Sequence, residues 1–247
     1  MKAWQRILAD SLTTSNQLLS RLGLTDQVQS VDQSPDFPVR VPEPFVTRMM
    51  PGDPHDPLLQ QVLAVTDERH AMPGFVKDPL DELEGPMPGV LHKYRSRVLV
   101  IYRGGCAINC RYCFRRHFPY QENTLTARDI DGLVSYLKAH PEVNEVILSG
   151  GDPLMADDQA LSGLFVRLES VSSIHRLRIH TRLPIVIPER VTDLLCQAIA
   201  ATALPVVMVL HSNHANEIDQ SVMDAVSQLR AVCRSVLNQS VILKGIN

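Results

Sequence analysis

The stretch that decides the fold runs from an apolar strand into three cysteines: Val98-Leu-Val-Ile-Tyr-Arg-Gly-Gly-Cys106-Ala-Ile-Asn-Cys110-Arg-Tyr-Cys113. Its first four residues are apolar without polar alternation, which indicates a strand buried on both faces of a parallel sheet. The cysteines follow closely and therefore lie in the loop at the carboxyl end of that strand. In parallel α/β folds this edge of the sheet carries the chemistry. The stretch thus predicts an α/β fold with a metal centre at that edge.

Strand and helix patterns continue to alternate through the rest of the chain. Apolar runs predict strands over 97–102, 144–149, 175–181, 205–210 and 239–243, and helical patterns lie near 127–139, 157–171, 189–202 and 216–234. This order predicts a parallel sheet, as in a partial (β/α) barrel. No helix follows the fifth strand to cover its apolar surface. Either the end of the chain packs unusually, or the C-terminal part of the barrel is missing and the sequence is a fragment of a longer protein, which is the expectation we favour.

Residues 1–90 are predicted to form an N-terminal region that wraps the partial barrel of residues 91–247. Before residue 34, apolar residues at helical spacing predict one or two short amphipathic helices: Trp4, Ile7 and Leu8, then Leu18, Leu19 and Leu22. Prolines recur in residues 34–88, here called the proline-rich segment, and exclude long elements there apart from a short helix at 58–64. We expect this segment to dock onto the barrel.

Charge and composition exclude several classes of protein. A formal net charge of −3 leaves no broad basic surface for nucleic acid. No apolar run reaches the roughly 18 residues of a membrane span, and the charged start of the chain does not fit a signal peptide. Five cysteines cannot all pair, which favours the cytoplasm, and Cys196 and Cys233 are interpreted as core thiols. We predict a cytoplasmic protein without nucleic-acid or membrane partners.

The clustered cysteines allow two kinds of metal site. Cys106, Cys110 and Cys113 can hold a 4Fe-4S cluster by three thiolates, which leaves the fourth iron open to a ligand from outside the protein. Alternatively, His117 completes a set of three cysteines and one histidine for zinc. The zinc site would make the chain a non-catalytic interaction module.

A second motif, Ser149-Gly-Gly-Asp152, follows the next predicted strand. Two glycines at this point allow a ligand to approach the backbone closely. Together with the cysteine spacing and Tyr112, the motif resembles the radical S-adenosylmethionine (SAM) superfamily. In that superfamily SAM binds the open iron, and one electron from the cluster splits SAM to give a 5′-deoxyadenosyl radical.

Six blocks extend the resemblance to one family within that superfamily. In chain order they are Lys93-Tyr-Arg-Ser-Arg-Val-Leu99, Cys113-Phe-Arg-Arg-His-Phe118, Leu148-Ser-Gly-Gly-Asp152, Arg182-Leu-Pro-Ile-Val-Ile-Pro-Glu-Arg190, His211-Ser-Asn-His-Ala-Asn-Glu217 and Asn238-Gln-Ser-Val241. Jointly they resemble the lysine 2,3-aminomutase family. The N-terminal Trp4-Gln-x-Ile-Leu-Ala-Asp-Ser11 is most similar to the branch that makes β-lysine for elongation factor P.

The family resemblance implies a second cofactor and a set of site residues. Members combine SAM with pyridoxal 5′-phosphate (PLP), which holds the α-amino group of the substrate. The implied PLP contacts are Tyr94, Arg97 and Gln239, and Arg115 is implied to pair with the substrate carboxylate. The other implied cofactor contacts, mostly to SAM, are Tyr112, Ser149, Gly150, Gly151, Asp152, Arg182 and His211.

The implied activity is that of an isomerase that converts L-lysine to β-lysine by 2,3-amino migration, with flavodoxin or ferredoxin as the reductant. An aminomutase for glutamate or another amino acid is the alternative, because the family's substrate-selecting carboxylates lie in a C-terminal part absent here. The family lysine that carries PLP is absent as well, and Lys244 matches a different family position. Lys93 stands where relatives often have arginine, which keeps the charge but loses the fork geometry.

Overall fold

The predicted parallel sheet is present in the computed structural model, which describes residues 1–25, 28, 30–33, 35–70, 73–126 and 128–247. Within these residues six strands follow one another in chain order in one open sheet. They are β1 (Val90–Tyr94), β2 (Arg97–Arg103), β3 (Glu145–Gly150), β4 (Arg176–Thr181), β5 (Val206–Leu210) and β6 (Ser235–Asn238). Strands β2 to β6 run parallel, and β1 is antiparallel to β2. The α/β partial barrel is therefore confirmed.

Helices connect the parallel strands. The α-helices are α1 (Ala3–Ala9), α2 (Ser15–Leu22), α3 (Glu43–Val46), α4 (Ile130–Ala139), α5 (Asp158–Glu169), α6 (Leu183–Val186), α7 (Asp193–Ala201) and α8 (Gln220–Val232). Short 3-10 helices lie at Leu59–Gln61, Thr66–Arg69, Pro153–Met155, Pro188–Arg190 and Ala215–Glu217. None of the helices in the described part of the chain has the length and apolarity needed to cross a bilayer.

The main core lies between one face of the sheet and the crossover helices α4, α5, α7 and α8. Neighbouring helices of this set contact each other, so they form a layer. Each fully buried leucine contributes about 2 kcal/mol through removal of its apolar surface from water. The buried side chains of this interface include Val98, Val100, Val146, Leu148, Leu177, Ile179, Leu133, Leu161, Leu195 and Leu229.

The sequence prediction was wrong at the last strand and missed the first one. The last strand was predicted at 239–243 but lies at Ser235–Asn238, because backbone pairing with β5 begins at Ser235. Ile242 in the predicted range is 92% exposed, so its apolar character does not report a buried strand. Strand β1 was missed because it is short and directly follows prolines. The helix near 58–64 is a 3-10 helix, and residue 127, where a helix was predicted to begin, lies outside the described residues.

The N-terminal region packs against the sheet and its helices as one continuous core. Trp4, Leu22 and Phe45 are buried in the same cluster as the strand residues. The proline-rich segment also holds the cysteine loop, since the Asn109 side chain donates to the carbonyl of Pro38 at 2.7 Å. The boundary near residue 90 stays a prediction.

A buried arginine joins α1 to the barrel. Arg190 is fully buried and donates to the carbonyl oxygens of Leu154 and Ala156 at 2.7 and 2.9 Å. Its Nη1 lies 2.7 Å from a carboxylate oxygen of Asp158. The Trp4 ring lies 5.0 Å from the guanidinium carbon. The N-terminal helix therefore contacts this buried charge through the Trp4 ring.

We expect Arg190→Met to lower the free energy of unfolding by about 3 kcal/mol, because it strips Asp158 of a buried cation and leaves two carbonyl groups without donors. Arg167→Met is the matched control, since Arg167 pairs with Asp131 at the surface and its loss should cost less than about 1 kcal/mol. Urea unfolding followed by circular dichroism measures both. Equal losses in the two variants would contradict the structural role of Arg190.

Candidate active site

The face of the sheet opposite the crossover helices lines a cavity of about 490 Å³, here called the central cavity. Side chains alternate along a strand, so Leu99, Ile147 and His180 lie on this face while their neighbours enter the core. All fourteen site residues marked in the sequence line this cavity: Tyr94, Arg97, Cys106, Cys110, Tyr112, Cys113, Arg115, Ser149, Gly150, Gly151, Asp152, Arg182, His211 and Gln239.

The three clustered cysteines are free thiols on one wall of the central cavity. Burial raises the pKa of Cys106 well above its usual value, and the nearby charge of Asp152 raises it further. Burial also raises the pKa of Cys113. Among the described residues, no group of three or more His, Cys, Asp or Glu side chains is arranged so that it could hold a metal ion. Thiolates bind metal only after they lose their protons, so metal binding here would release protons.

His117 and the three cysteines line different cavities. The histidine lines a separate cavity of about 250 Å³, here called the outer cavity, and is not among the residues that line the central one. The structure therefore gives no support to a zinc site made of His117 and the three cysteines.

The two loops that carry the motifs touch through their backbones. The amide of Gly151 donates to the carbonyl of Arg103 at 2.7 Å, and the amide of Asp152 donates to that of Gly105 at 2.9 Å. A Cβ at position 151 would lie 2.5 Å from the Gly105 oxygen. Gly150 has a φ of 119°, a conformation that favours glycine. The glycine pair is therefore required for the cysteine loop and the loop after β3 to meet.

The Asp152 side chain holds strand ends together. Its carboxylate accepts from Thr181 Oγ1 at 2.7 Å and from the amides of Leu154, Arg182 and Leu183 at 2.8 to 3.0 Å. Four donors fill the acceptor positions of a carboxylate. Burial raises the pKa of Asp152, and these hydrogen bonds act in the opposite direction. A contact from this motif to a ligand would therefore come from its backbone and not from the Asp152 carboxylate.

Arg182 is the centre of a buried polar network beside the cysteines. It donates to Gln61 Oε1 at 2.7 Å and to Glu217 Oε2 at 3.0 Å, and it lies 2.8 Å from Cys110 Sγ. It also donates to the Tyr112 hydroxyl. Burial lowers the pKa of Arg182, but Cys110, Tyr112 and Glu217 outweigh burial and raise it. Arg182 stays charged and fixes the orientation of Cys110 and Tyr112.

The wall of the central cavity formed by β1 and β2 is positively charged. Arg97 lies over the Tyr94 ring at 5.5 Å, and its buried Nε has no hydrogen-bond partner among the described residues. Glu145 lies 3.8 Å from that Nε but bonds Arg178 at 2.7 Å instead. The Arg97 side chain is 41% exposed, so its outer guanidinium nitrogens are accessible to an anion such as a phosphate group.

Two histidines face the centre of the cavity. The rings of His180 and His211 lie 5.6 Å apart in an edge-to-face arrangement. Burial, together with nearby arginines that include Arg115, lowers the pKa of each to about 4. The Nε2 atoms of both are buried and lack a hydrogen-bond partner among the described residues. Neutral imidazoles with open nitrogens are suited to hydrogen bonds with a bound ligand.

Arg115 is paired within the protein. Its guanidinium forms two hydrogen bonds to the Glu82 carboxylate, at 2.6 and 2.9 Å, and Nη1 donates to Ser149 Oγ at 3.1 Å. Both members of the ion pair are more than nine-tenths buried. Glu82 belongs to the proline-rich segment, which thereby forms part of the site.

Sequence reasoning missed several residues of the site. His180 could have been found, because it lies on the same strand face as the marked residues. Asn213 and Glu217 lie in the block from His211 to Glu217, but no role was predicted for either side chain. Gln61 and Glu82 lie in the proline-rich segment, where no local pattern points to the barrel.

Comparison with known proteins agrees with this geometry. The family model for the radical SAM superfamily matches residues 100–212. The chain is 47% identical to the L-lysine 2,3-aminomutase of Escherichia coli K12, over 99% of this chain and 72% of that protein. It is 48% identical to the L-lysine 2,3-aminomutase of Haemophilus influenzae, over 99% of this chain and 73% of that protein. The Clostridium subterminale enzyme of the same name is 33% identical over 82% of this chain and 49% of its own length.

We expect His180 and His211 to remain neutral until the pH falls to about 4. In the unfolded chain histidine takes up a proton near pH 6.5, so stability should be lost as the pH falls from about 6.5 to 4. Titration of the imidazole signals by NMR measures the two pKa values. The double variant His180→Gln/His211→Gln should show a shallower loss of stability over this range, with His55→Gln as the control. Imidazole midpoints near 6.5 would contradict the assignment.

Proposed function

The chain belongs to the lysine 2,3-aminomutase family of radical SAM enzymes, and from this we propose that it converts L-lysine to β-lysine by moving the amino group from C2 to C3. Enzymes of this kind are isomerases. The observation that carries the proposal is that every residue matching the family's site lines one cavity. The relatives' shared name supports lysine as the substrate.

We propose that Cys106, Cys110 and Cys113 hold a 4Fe-4S cluster, with SAM on the fourth iron. The three free thiols on one wall fit this role, since thiolate sulfur is the usual ligand of iron–sulfur clusters. The backbone of Gly150 and Gly151 lines the cavity beside them and offers polar groups to SAM. Tyr112, held by Arg182, lies next to the same place.

We propose that PLP binds against the positive wall of the cavity, with its phosphate on Arg97. The partly exposed guanidinium of Arg97 is accessible to a phosphate group, and Tyr94 and Gln239 line the same space. When bound, the cluster and SAM supply the one-electron chemistry that removes and returns a hydrogen atom, and PLP holds the migrating nitrogen.

The chain's own side chains bind and orient the substrate in this proposal. Arg115 binds the α-carboxylate from the side of the cavity where Nη1 lies. His180 and His211 donate or accept hydrogen bonds as neutral groups and do not exchange protons with the substrate near neutral pH. The apolar walls, which include Leu99, Ile147 and Val186, exclude water from a site where reactive intermediates form.

The direct test is an anaerobic assay of the iron-reconstituted protein with SAM, PLP, a chemical reductant and L-lysine. We expect β-lysine as the product, together with lysine-dependent formation of 5′-deoxyadenosine. A parallel assay with L-glutamate tests the alternative substrate. Product from glutamate and none from lysine would overturn the proposed substrate.

The cluster assignment has its own matched variants. Cys106→Ala, Cys110→Ala and Cys113→Ala should each abolish SAM cleavage and greatly reduce bound iron, because each removes one of three ligands. Cys196→Ala is the control, since this cysteine lies on α7 and is not among the residues that line the central cavity. Retained 5′-deoxyadenosine formation in any of the first three variants would contradict the assignment.

Replacement of Arg97 tests the PLP site without an activity assay. Arg97→Met should weaken PLP binding on the order of 10-fold or more, because a charge-assisted bond to the phosphate is lost. Arg95→Met removes the same charge from an exposed position two residues away and is the control. Titration with PLP, followed by absorbance, measures both. Equal affinity in the two variants would place the phosphate elsewhere.

We further propose that the electron donor is flavodoxin or ferredoxin and that β-lysine is used to modify elongation factor P. The support is the similarity of the N-terminal Trp4–Ser11 stretch to the branch with that role, and the high identity to the two aminomutases over nearly the whole chain.

A further inference from the structure

The Glu82 carboxylate occupies one edge of the Arg115 guanidinium. Glu82 Oε2 accepts from Nε at 2.6 Å, and Oε1 accepts from Nη2 at 2.9 Å. Two parallel charge-assisted bonds fix both the position and the plane of a guanidinium. Because the pair is buried, water does not compete for these bonds.

The backbone around Glu82 is itself held in place. The Asp78 carboxylate accepts from the amide of Glu82 at 3.0 and 2.9 Å, and from the amide of Leu83 at 3.2 Å. Asp81 has a φ of 49°, in the left-handed region that closes this turn. The turn of residues 78–83 therefore presents the Glu82 side chain to Arg115 in a defined orientation.

The remaining edge of Arg115 lies toward the proposed SAM and substrate site. Nη1 donates to Ser149 Oγ at 3.1 Å and lies 3.4 Å from the Gly150 carbonyl oxygen, and both of these residues line the central cavity. A guanidinium has five N–H donors in a planar fork. Glu82 takes Nε and one N–H of Nη2, and Ser149 and Gly150 take Nη1, so one N–H of Nη2 has no partner among the described residues. A second carboxylate would bind at this N–H and compete with Ser149 for Nη1.

The ion pair also separates two spaces. Glu82 and Arg115 line both the central cavity and the outer cavity, which Lys77 and His117 line as well. The pair forms part of the partition between them. Arg115 therefore borders both spaces, and its orientation depends on how Glu82 holds it.

We propose that Glu82 is a positioning residue for the substrate carboxylate: it holds Arg115 through Nε and Nη2, and so orients the guanidinium for a carboxylate bound in the central cavity. The proposal rests on the proposed function, in which Arg115 binds the α-carboxylate of an amino acid. Glu82 does not touch the substrate. Its effect on recognition passes through Arg115 alone.

The test compares L-lysine with L-lysinamide, which lacks the carboxylate charge. We expect Glu82→Ala to raise KM for L-lysine on the order of 10-fold, with a smaller change in kcat, because Arg115 is no longer held in the productive orientation. KM for L-lysinamide should stay unchanged. The ratio of KM for L-lysinamide to KM for L-lysine therefore falls. Calorimetric binding of both compounds to the reconstituted protein gives the same comparison without turnover.

Matched variants separate positioning from a general loss of structure. Glu84→Ala removes an exposed carboxylate two residues away and should keep the ratio of the native chain. Glu82→Gln retains a hydrogen-bonding oxygen and should give an intermediate ratio, and it replaces the alanine variant if that variant does not fold. The double variant Arg115→Ala/Glu82→Ala should show the same preference for L-lysine over L-lysinamide as Arg115→Ala alone, because Glu82 acts through Arg115.

The outcomes distinguish the two proposals. If the native chain prefers lysine to lysinamide and Glu82→Ala keeps that preference in full, the positioning role is overturned while the proposed function stands. If the native chain binds neither compound or does not distinguish them, the proposed function fails and this inference fails with it.

Discussion

Two backbone hydrogen bonds hold together the edge of the sheet on which the site is built. The amides of Gly151 and Asp152 bond the carbonyls of Arg103 and Gly105, so the loop after β3 lies directly on the loop that leads to the cysteines. The Asp152 carboxylate extends this junction to the end of β4 through Thr181. Groups from three strands are thereby positioned relative to one another. Only glycine at position 151 permits the approach, which explains why the motif carries it.

The sequence predicts those parts of the protein whose structure depends on residues close together in the chain. The strands around Val98–Ile101 and Val206–Leu210 are found because burial on both faces leaves a continuous apolar run. The cysteine spacing marks the site, and the glycine pair adds to it because it follows the next strand; alone, such a pair is common in turns between a strand and a helix. The last strand was misplaced because the apolar run Val241-Ile-Leu243, in which Val241 and Ile242 are exposed, looks the same in the sequence as a buried one. Glu82 and Gln61 could not be found at all, since their partners Arg115 and Arg182 lie 33 and 121 residues away.

Buried ion pairs connect the N-terminal region to the barrel at the site and near it. Glu82 pairs with Arg115, and Lys2 joins the pair of Asp158 and Arg190. Such pairs add little net stability, because desolvation of both charges offsets their attraction, but the loss of one partner is strongly destabilising. Their main effect is therefore to fix the position of the N-terminal region relative to the barrel. A region docked a few ångströms away would leave a charge buried without its partner, so these pairs favour one docked arrangement.

The cysteine loop is held by segments that precede it in the chain by tens of residues. The Asn109 amide donates to the Arg40 carbonyl at 3.1 Å, its side chain reaches Pro38 across 71 residues, and the Arg111 amide donates to the Gln61 carbonyl at 2.9 Å. Contacts between such distant parts of a chain carry a high entropic cost of loop closure and form slowly. The cysteine loop therefore has no fixed position of its own: it takes its place from the proline-rich segment, so a change that loosens that segment also displaces the three thiols.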